Sequence, residues 1–134
     1  MFASTISPGT VKFVGFAQRE QLSFYYAFAE VLVLPTHSDP WGLVVNEAMA
    51  CGLPVIVSRV AGCAADLVRE NWNGLLTQPG DESSLVAAMT RIASQSELRK
   101  TMSANSLLHI SRYSPEAWSL GIVRALGRAG AKYE

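Results

Sequence analysis

Two short, continuous runs of apolar residues constrain the fold of this chain more than any other feature. Residues 31–34 (Val-Leu-Val-Leu) are stopped by Pro35, and residues 55–57 (Val-Ile-Val) follow Pro54. A strand that is apolar at every position is typical of a parallel sheet that is buried on both faces. Between the two runs, apolar residues recur at helical spacing and Gly52 supplies a helix stop. This order predicts an α/β fold with a mostly parallel sheet and helices on both faces.

The rest of the chain extends this order in both directions. Residues 11–16 are β-branched and aromatic and include a glycine, which predicts a strand and the loop that leaves it, and residues 19–28 predict a helix. We expect the first apolar run to be a central strand, and residues 75–76, between an Asn-Gly and a Pro-Gly-Asp turn, predict a fourth strand. Apolar residues at helical spacing predict three further helices, at residues 85–92, 98–107 and 118–126. The last helix opens with Ser114 as N-cap and Pro115 in the first turn.

The composition predicts one domain without a strong electrostatic field. The 134 residues, of which 49% are apolar and 16% charged, can bury one core but are too few for two ordinary domains. The 11 basic and 11 acidic residues cancel, which argues against nucleic acid as a partner. Cys51 and Cys63 have no partners at metal-ligand spacing and predict buried free thiols in a reducing compartment. Because no apolar run is long enough to span a bilayer and no signal peptide is recognised, we expect a cytoplasmic protein without an integral membrane segment.

The loop at residues 35–42 is the candidate binding site, because it leaves the carboxyl end of a predicted parallel strand and leads into a helix. Gly42 lets a ligand approach the backbone, and the free N–H groups of the first helical turn can point at phosphate oxygens. Glu47 lies about one turn further, where its carboxylate can accept hydrogen bonds from a ribose diol. The pattern favours a nucleoside diphosphate, with any attached sugar near Asp39.

Three polar residues of this region also have plainer interpretations. Asp39 followed by Pro40 fits an N-cap with proline at the first helical position, which needs no ligand. Glu47 interrupts an apolar helix face with a charge that is costly to bury unpaired, which favours a binding role. His37 fits either a general base or a histidine that faces the backbone.

The stretch from Leu34 to Ile56, LPTHSDPWGLVVNEAMACGLPVI, closely resembles the signature of family 4 glycosyltransferases, whose hallmark is two acidic residues separated by seven. The flanking segments at residues 11–16, 26–34 and 73–81 resemble neighbouring parts of the same domain, so nearly the whole chain is covered. The resemblance implies a GT-B architecture of two Rossmann-like domains, and a retaining transfer from a nucleotide sugar without a metal or other cofactor. Residues 1–134 would form part of the C-terminal, donor-binding domain, with the N-terminal acceptor domain absent.

The resemblance also implies roles for individual residues. Glu47 matches the family's ribose-binding glutamate, and Asp39 matches its catalytic acidic residue beside the donor sugar, where the family usually has the longer glutamate. The donor would be a UDP-, GDP- or ADP-linked sugar. Its phosphates would face the backbone of Gly42, Leu43 and Val44, next to Trp41, and its base would meet the loop formed by Gly15, Phe16 and Ala17.

One part of the family's donor site has no counterpart in this sequence. The C-terminal domain normally begins with a strand–helix–strand region bearing an Arg and a Lys that neutralise the diphosphate, and nothing before Val11 matches it. Arg19 and Arg59 do not occupy those positions and are expected on the surface. We therefore expect a fragment with negligible transferase activity by itself, completed by the missing domain or by a separate chain. The missing strands would leave an open sheet edge that favours self-association.

Two other functions remain open at this point. One is a non-catalytic nucleotide-binding or interaction module, and the other is a sugar-nucleotide epimerase of GT-B shape. The glycine-rich motif of dinucleotide oxidoreductases and the Gly-Lys-Ser/Thr motif of phosphate-loop NTPases are both absent from the sequence.

Overall fold

A computed structural model describes residues 11–130, and residues 1–10 and 131–134 lie outside this description. Its centre is a parallel sheet of three strands, β1 (Leu32–Leu34), β2 (Val55–Ser58) and β3 (Gly74–Thr77), which lie side by side in that order. The helices are α1 (Arg19–Phe28), α2 (Leu43–Ala50), α3 (Ala64–Leu67), α4 (Glu82–Ser94), α5 (Ser96–Ile110) and α6 (Pro115–Gly130), with a 3-10 helix at Ser111–Tyr113. The predicted parallel α/β fold is confirmed.

Helices cover both faces of the sheet, because successive side chains of a strand point to opposite sides. All four residues of β2 are buried. Val55 and Val57 belong to a core formed with α2 and α3, whereas Ile56 belongs to a second core formed with α4 and α5. Met49 is fully buried in the first core and Met102 in the second. A strand with apolar residues on both faces is what a two-sided core requires.

The strand predicted at residues 11–16 is wrong. The segment forms neither helix nor strand, and Phe13 and Phe16 are each 88% exposed. A strand needs a neighbour to receive its backbone hydrogen bonds, and this segment does not pair with β1. Residues 31–34 were also expected at the centre of the sheet. Among the described residues β1 pairs only with β2, so it is an edge strand, and β2 is central.

The ends of several helices follow from the local sequence. Gly52, with φ of +77°, comes just after α2 as predicted. Asp81 caps α4 by accepting a hydrogen bond from the Ser84 N–H at 3.0 Å. The Ser114 hydroxyl accepts from the Ala117 N–H at 3.2 Å, so the predicted cap of α6 is confirmed.

The two cysteines differ in their surroundings. Both are free thiols, but Cys63 is buried and Cys51 is exposed, so burial was predicted correctly only for Cys63. Cys51 is the C-cap residue that follows the end of α2. Among residues 11–130, no helix is both long and apolar enough to cross a membrane.

Candidate functional site

The loop between β1 and α2 is fastened to the loop that follows β2. Asp39 and Ala61 form an isolated parallel bridge. The Gly62 N–H donates to the Asp39 carbonyl at 3.0 Å, and the Cys63 N–H donates to the Trp41 carbonyl at 2.8 Å. These bonds fix the backbone of the candidate site at the carboxyl edge of the sheet, where ligands of open parallel sheets bind.

Asp39 closes a turn within this loop. Its Oδ1 atom accepts a hydrogen bond from the Trp41 N–H at 2.9 Å, and the residue is half-buried. Because α2 begins at Leu43 and its N-cap is Gly42, the interpretation of Asp39 as the cap of this helix is wrong. No hydrogen bond within residues 11–130 involves the second carboxylate oxygen, Oδ2, so this atom remains available to a ligand.

Gly42 occupies a position that only glycine fits. Its φ is +89°, and an added Cβ would lie 3.0 Å from the Leu34 Cδ2 atom and 3.3 Å from the Cys63 Sγ atom. The Val45 N–H donates back to the Gly42 carbonyl at 2.9 Å. The N–H groups of Leu43 and Val44 precede the first intrahelical bond of α2, and both side chains are exposed. The start of α2 therefore presents donors to solvent.

Glu47 is held by a tyrosine from α1. The Tyr26 hydroxyl donates to the Glu47 Oε2 atom at 2.8 Å. Burial and, next, the nearby Glu47 carboxylate raise the pKa of Tyr26 to about 12, so the phenol keeps its proton at neutral pH. The pair lies in a cavity of about 230 Å³, together with Leu22, Ser23 and Cys51. One carboxylate oxygen of Glu47 is thus fixed, and no hydrogen bond within residues 11–130 involves the other, Oε1.

Sequence analysis did not assign Tyr26 to the site. Tyr26 and Glu47 are 21 residues apart and on different helices, so no local spacing connects them. The signal that was available is the resemblance itself, because residues 26–34 match the end of the family's tyrosine-containing helix and the strand after it.

The remaining residues that were predicted to bind the donor lie in two places, in the loop after β1 and in the segment before α1. Trp41 is half-buried against the first core, and its indole N–H donates to the Asn46 Oδ1 atom at 2.8 Å. Gly15, Phe16 and Ala17 lie in the irregular segment before α1, and no hydrogen bond within residues 11–130 joins them to residues 35–47. The structure therefore places Asp39, Gly42 and Glu47 on one loop and the helix that follows it, whereas none of the described hydrogen bonds links residues 15–17 to them.

The basic and metal-ligating residues add little to this site. Arg59 forms an ion pair with Glu70 at 3.0 Å, in agreement with a surface role, and the side chain of Arg19 lies outside the described part of the chain. His37 is exposed, and its ring Cε1 atom would lie 3.4 Å from a Cβ added at Gly80. In the described part of the chain, no three His, Cys, Asp or Glu side chains are grouped so that they could hold a metal ion.

Comparisons with known proteins bear on the family and the fold of this chain. Residues 5–109 match the family described as "Glycosyl transferases group 1". The chain is 35% identical over 107 residues to the D-inositol 3-phosphate glycosyltransferase of Thermobifida fusca, an alignment that covers 80% of this chain and 24% of that protein. Its fold is similar to that of sucrose-phosphate synthase from Thermosynechococcus elongatus, with a TM-score of 0.76, 34% identity, and coverage of 90% of this chain and 30% of that one. It is also similar to Anabaena HepE in complex with UDP and glucose, with a TM-score of 0.77, 28% identity, and coverage of 90% and 33%.

The family match extends over most of the chain, and the chain therefore belongs to the group 1 glycosyltransferases. The solved structures that it resembles are GT-B glycosyltransferases, which confirms the predicted Rossmann-like fold as part of a GT-B architecture. The chain spans about a quarter of the length of the Thermobifida relative. The activity of a complete enzyme is therefore a separate question from the family of this chain.

Proposed function

We propose that this chain forms part of the donor site of a retaining, metal-independent glycosyltransferase, within its C-terminal domain. The transfer would move a hexosyl group from a UDP-, GDP- or ADP-linked donor to an acceptor. The observation that carries the proposal is the Glu47 carboxylate, held by Tyr26 at 2.8 Å, about one turn beyond the exposed start of α2. The Anabaena neighbour, which was solved with UDP and glucose, supports a nucleotide sugar as the ligand.

Each part of the donor would have its own partner. The diphosphate would lie over the N–H groups of Leu43 and Val44, where a helix N-terminus favours negative charge. The ribose diol would donate to the free oxygen of Glu47. The sugar would lie beside Asp39, whose Oδ2 atom would stabilise the positive charge that develops as the anomeric bond breaks. Trp41, tied to Asn46, would hold the loop in shape between these positions.

The proposal requires a complementary part of the enzyme. The helix N-terminus is the one phosphate-binding element recognised among the described residues, and a leaving diphosphate normally needs positively charged side chains as well. The edge of β1 that is unpaired among the described residues is where a further strand would add, either from such a part or from a second copy of the chain. We therefore expect negligible transferase activity from these 134 residues alone. The free thiols of Cys51 and Cys63 suit a cytoplasmic enzyme.

Calorimetric titration of UDP, GDP, ADP and their hexose conjugates into the purified chain tests the donor site. We expect one nucleotide class to bind, and Glu47→Gln to weaken it by roughly 10- to 100-fold, because a hydrogen bond to a charged carboxylate is lost. Glu97→Gln is the matched control, since the Glu97 side chain on α5 is 83% exposed and its carboxylate pairs with Lys100. Absence of binding by every nucleotide, or equal binding by Glu47→Gln and the wild type, would overturn the proposal.

A further inference from the structure

Side chains of α1 share the cavity around Glu47. The cavity has a volume of about 230 Å³, which is smaller than a typical small-molecule site and suits one part of a larger ligand. Ser23 and Tyr26 line it beside Glu47, and because they are three residues apart on a helix they lie on the same face of α1. A ligand that fills the cavity therefore meets hydroxyl groups of α1 as well as the carboxylate of α2.

The protons of these two hydroxyl groups are already donated within the fold. The Tyr26 hydroxyl donates to the Glu47 Oε2 atom at 2.8 Å, and the Ser23 hydroxyl donates to the Glu20 carbonyl at 3.1 Å. Each hydroxyl oxygen keeps lone pairs that can accept a hydrogen bond, and the Oε1 atom of Glu47 is an acceptor as well. A ligand that reaches these oxygens therefore meets acceptors, and it must supply the donors.

The charge of the cavity narrows the kind of group that fits there. Among the described residues that line it, none is a lysine or an arginine, so the Glu47 carboxylate would repel a phosphate from this position. Burial and, next, Glu47 raise the pKa of Tyr26 to about 12, so the tyrosine adds no second negative charge. A vicinal diol is neutral and carries two O–H donors on adjacent carbons. It matches two neighbouring acceptors, and the Tyr26 hydroxyl and Glu47 are such neighbours.

We propose that Tyr26 makes the donor site selective for ribonucleotides, by accepting a hydrogen bond from one hydroxyl of the ribose diol while Glu47 accepts one from the other. This role rests on the proposed donor site and adds to it a residue from a different helix. The bond from the ribose to Tyr26 and the bond from Tyr26 to Glu47 form a chain in which each bond strengthens the other. A nucleotide that lacks one of the two hydroxyls loses the corresponding bond and leaves that acceptor unpaired.

Deoxynucleotides test this role, in calorimetric titrations of the purified chain with UDP, GDP, ADP and the 2′-deoxy and 3′-deoxy analogues of each. For the base that binds, the analogue that lacks the hydroxyl at Glu47 should bind about 10- to 100-fold more weakly than the ribonucleotide, because a bond to a charged carboxylate is lost. The other analogue should bind about 3- to 10-fold more weakly, because its lost bond is to a neutral phenol. Tyr26→Phe should weaken the ribonucleotide by that smaller factor and should no longer distinguish it from the second analogue.

A matched variant separates this result from a general loss of structure. Tyr25→Phe makes the same change at the next position of α1, where the side chain is 47% exposed and does not line the cavity, so it should keep both preferences of the wild type. The ratio of two affinities in one sample does not depend on the fraction of folded protein.

The possible failures distinguish this role from the donor site itself. The role of Tyr26 is refuted, and the donor site stands, if Tyr26→Phe still prefers the ribonucleotide over both analogues or if Tyr25→Phe loses the same preference. Equal binding of all three nucleotides by the wild type refutes the reading of the diol. If no nucleotide binds to the wild type, the donor site is refuted and the role of Tyr26 with it.

Discussion

Gly62→Ala should separate the two loops that meet at the carboxyl edge of the sheet. A Cβ at Gly62 would lie 2.0 Å from the Pro40 carbonyl oxygen and 2.7 Å from its carbon. Because real Cβ atoms are essentially never closer than 3.0 Å to such neighbours, the loops must move apart by at least 3.0 − 2.0 = 1.0 Å. The obstacle is backbone, so no side-chain rotation can relieve the clash.

The expected cost follows from the bonds that cross this contact. The movement breaks the bond from the Gly62 N–H to the Asp39 carbonyl and stretches the neighbouring bond from the Cys63 N–H to the Trp41 carbonyl. Each backbone hydrogen bond contributes a net stabilisation of ~1 kcal/mol, so the free energy of unfolding should fall by about 2 kcal/mol. Affinity for a nucleotide sugar should fall as well, because Asp39 lies on the displaced loop.

Urea unfolding followed by circular dichroism measures this loss. Gly121→Ala is the control, since nothing lies within 4 Å of a Cβ added at Gly121 in α6. Alanine favours a helix over glycine, so the control should be as stable as the wild type or more stable by up to about 1 kcal/mol. The explanation is refuted if Gly62→Ala unfolds at the same urea concentration as the wild type.

Three further predictions concern the site and the core. Glu47→Gln should lower the pKa of Tyr26 from about 12 only part of the way to 10.0, because burial, the larger cause of the shift, remains. Absorbance titration of the phenol measures this change, and an unchanged pKa would contradict the hydrogen bond between Tyr26 and Glu47. Met102→Ala, at a fully buried position, should lower the free energy of unfolding in urea by about 2–5 kcal/mol, whereas Met89→Ala, at a 46% exposed position, should lower it much less. Equal losses of stability would argue against the assigned core. Folding lowers the pKa of Asp81, so the stabilisation that this carboxylate contributes is complete above its unfolded pKa of 3.8 and is lost as the pH falls through the lower pKa of the folded state. Thermal unfolding of Asp81→Ala at a series of pH values should lack this acid dependence. A wild-type pH profile in the variant would count against the cap.

Much of the helical structure could be predicted because its signals are local. The helix expected at residues 19–28 has these same bounds in α1, and the cap at Ser114 and the stop at Gly52 are formed as expected. Amphipathic spacing and capping depend on residues a few positions apart, which a sequence displays directly.

Strand pairing depends on segments that are distant in the sequence, so the local pattern of residues was not sufficient to predict it. Residues 11–16 have the composition of a strand but pair with no strand among the described residues, and residues 31–34 have the composition of a central strand although β1 lies at the edge. Both errors share one cause, because the local composition of a segment does not report how many hydrogen-bonded neighbours it has. The four-residue α3 was missed because it is shorter than one full amphipathic repeat.

The candidate site also has a part that could be predicted from local sequence and a part that could not. Asp39, Gly42 and Glu47 lie within nine consecutive residues, so their placement on one loop and one helix could be predicted from spacing. The partner of Glu47 comes from α1, and the cavity around this pair is lined by residues of α1 and α2 and by Cys51. These features exist only after the strands and helices have packed, and no short motif encodes them.

The order of the strands in space has a consequence for how the molecule assembles. Chain order and spatial order coincide, so each new strand adds beside the one made just before it. Among the described residues, no strand has to open an existing pair to enter the sheet, and β2 can receive β1 before β3 has left the ribosome. The loop and helix that carry Asp39 and Glu47 connect those first two strands, so this segment can take its place before α4 and α5 have been synthesised.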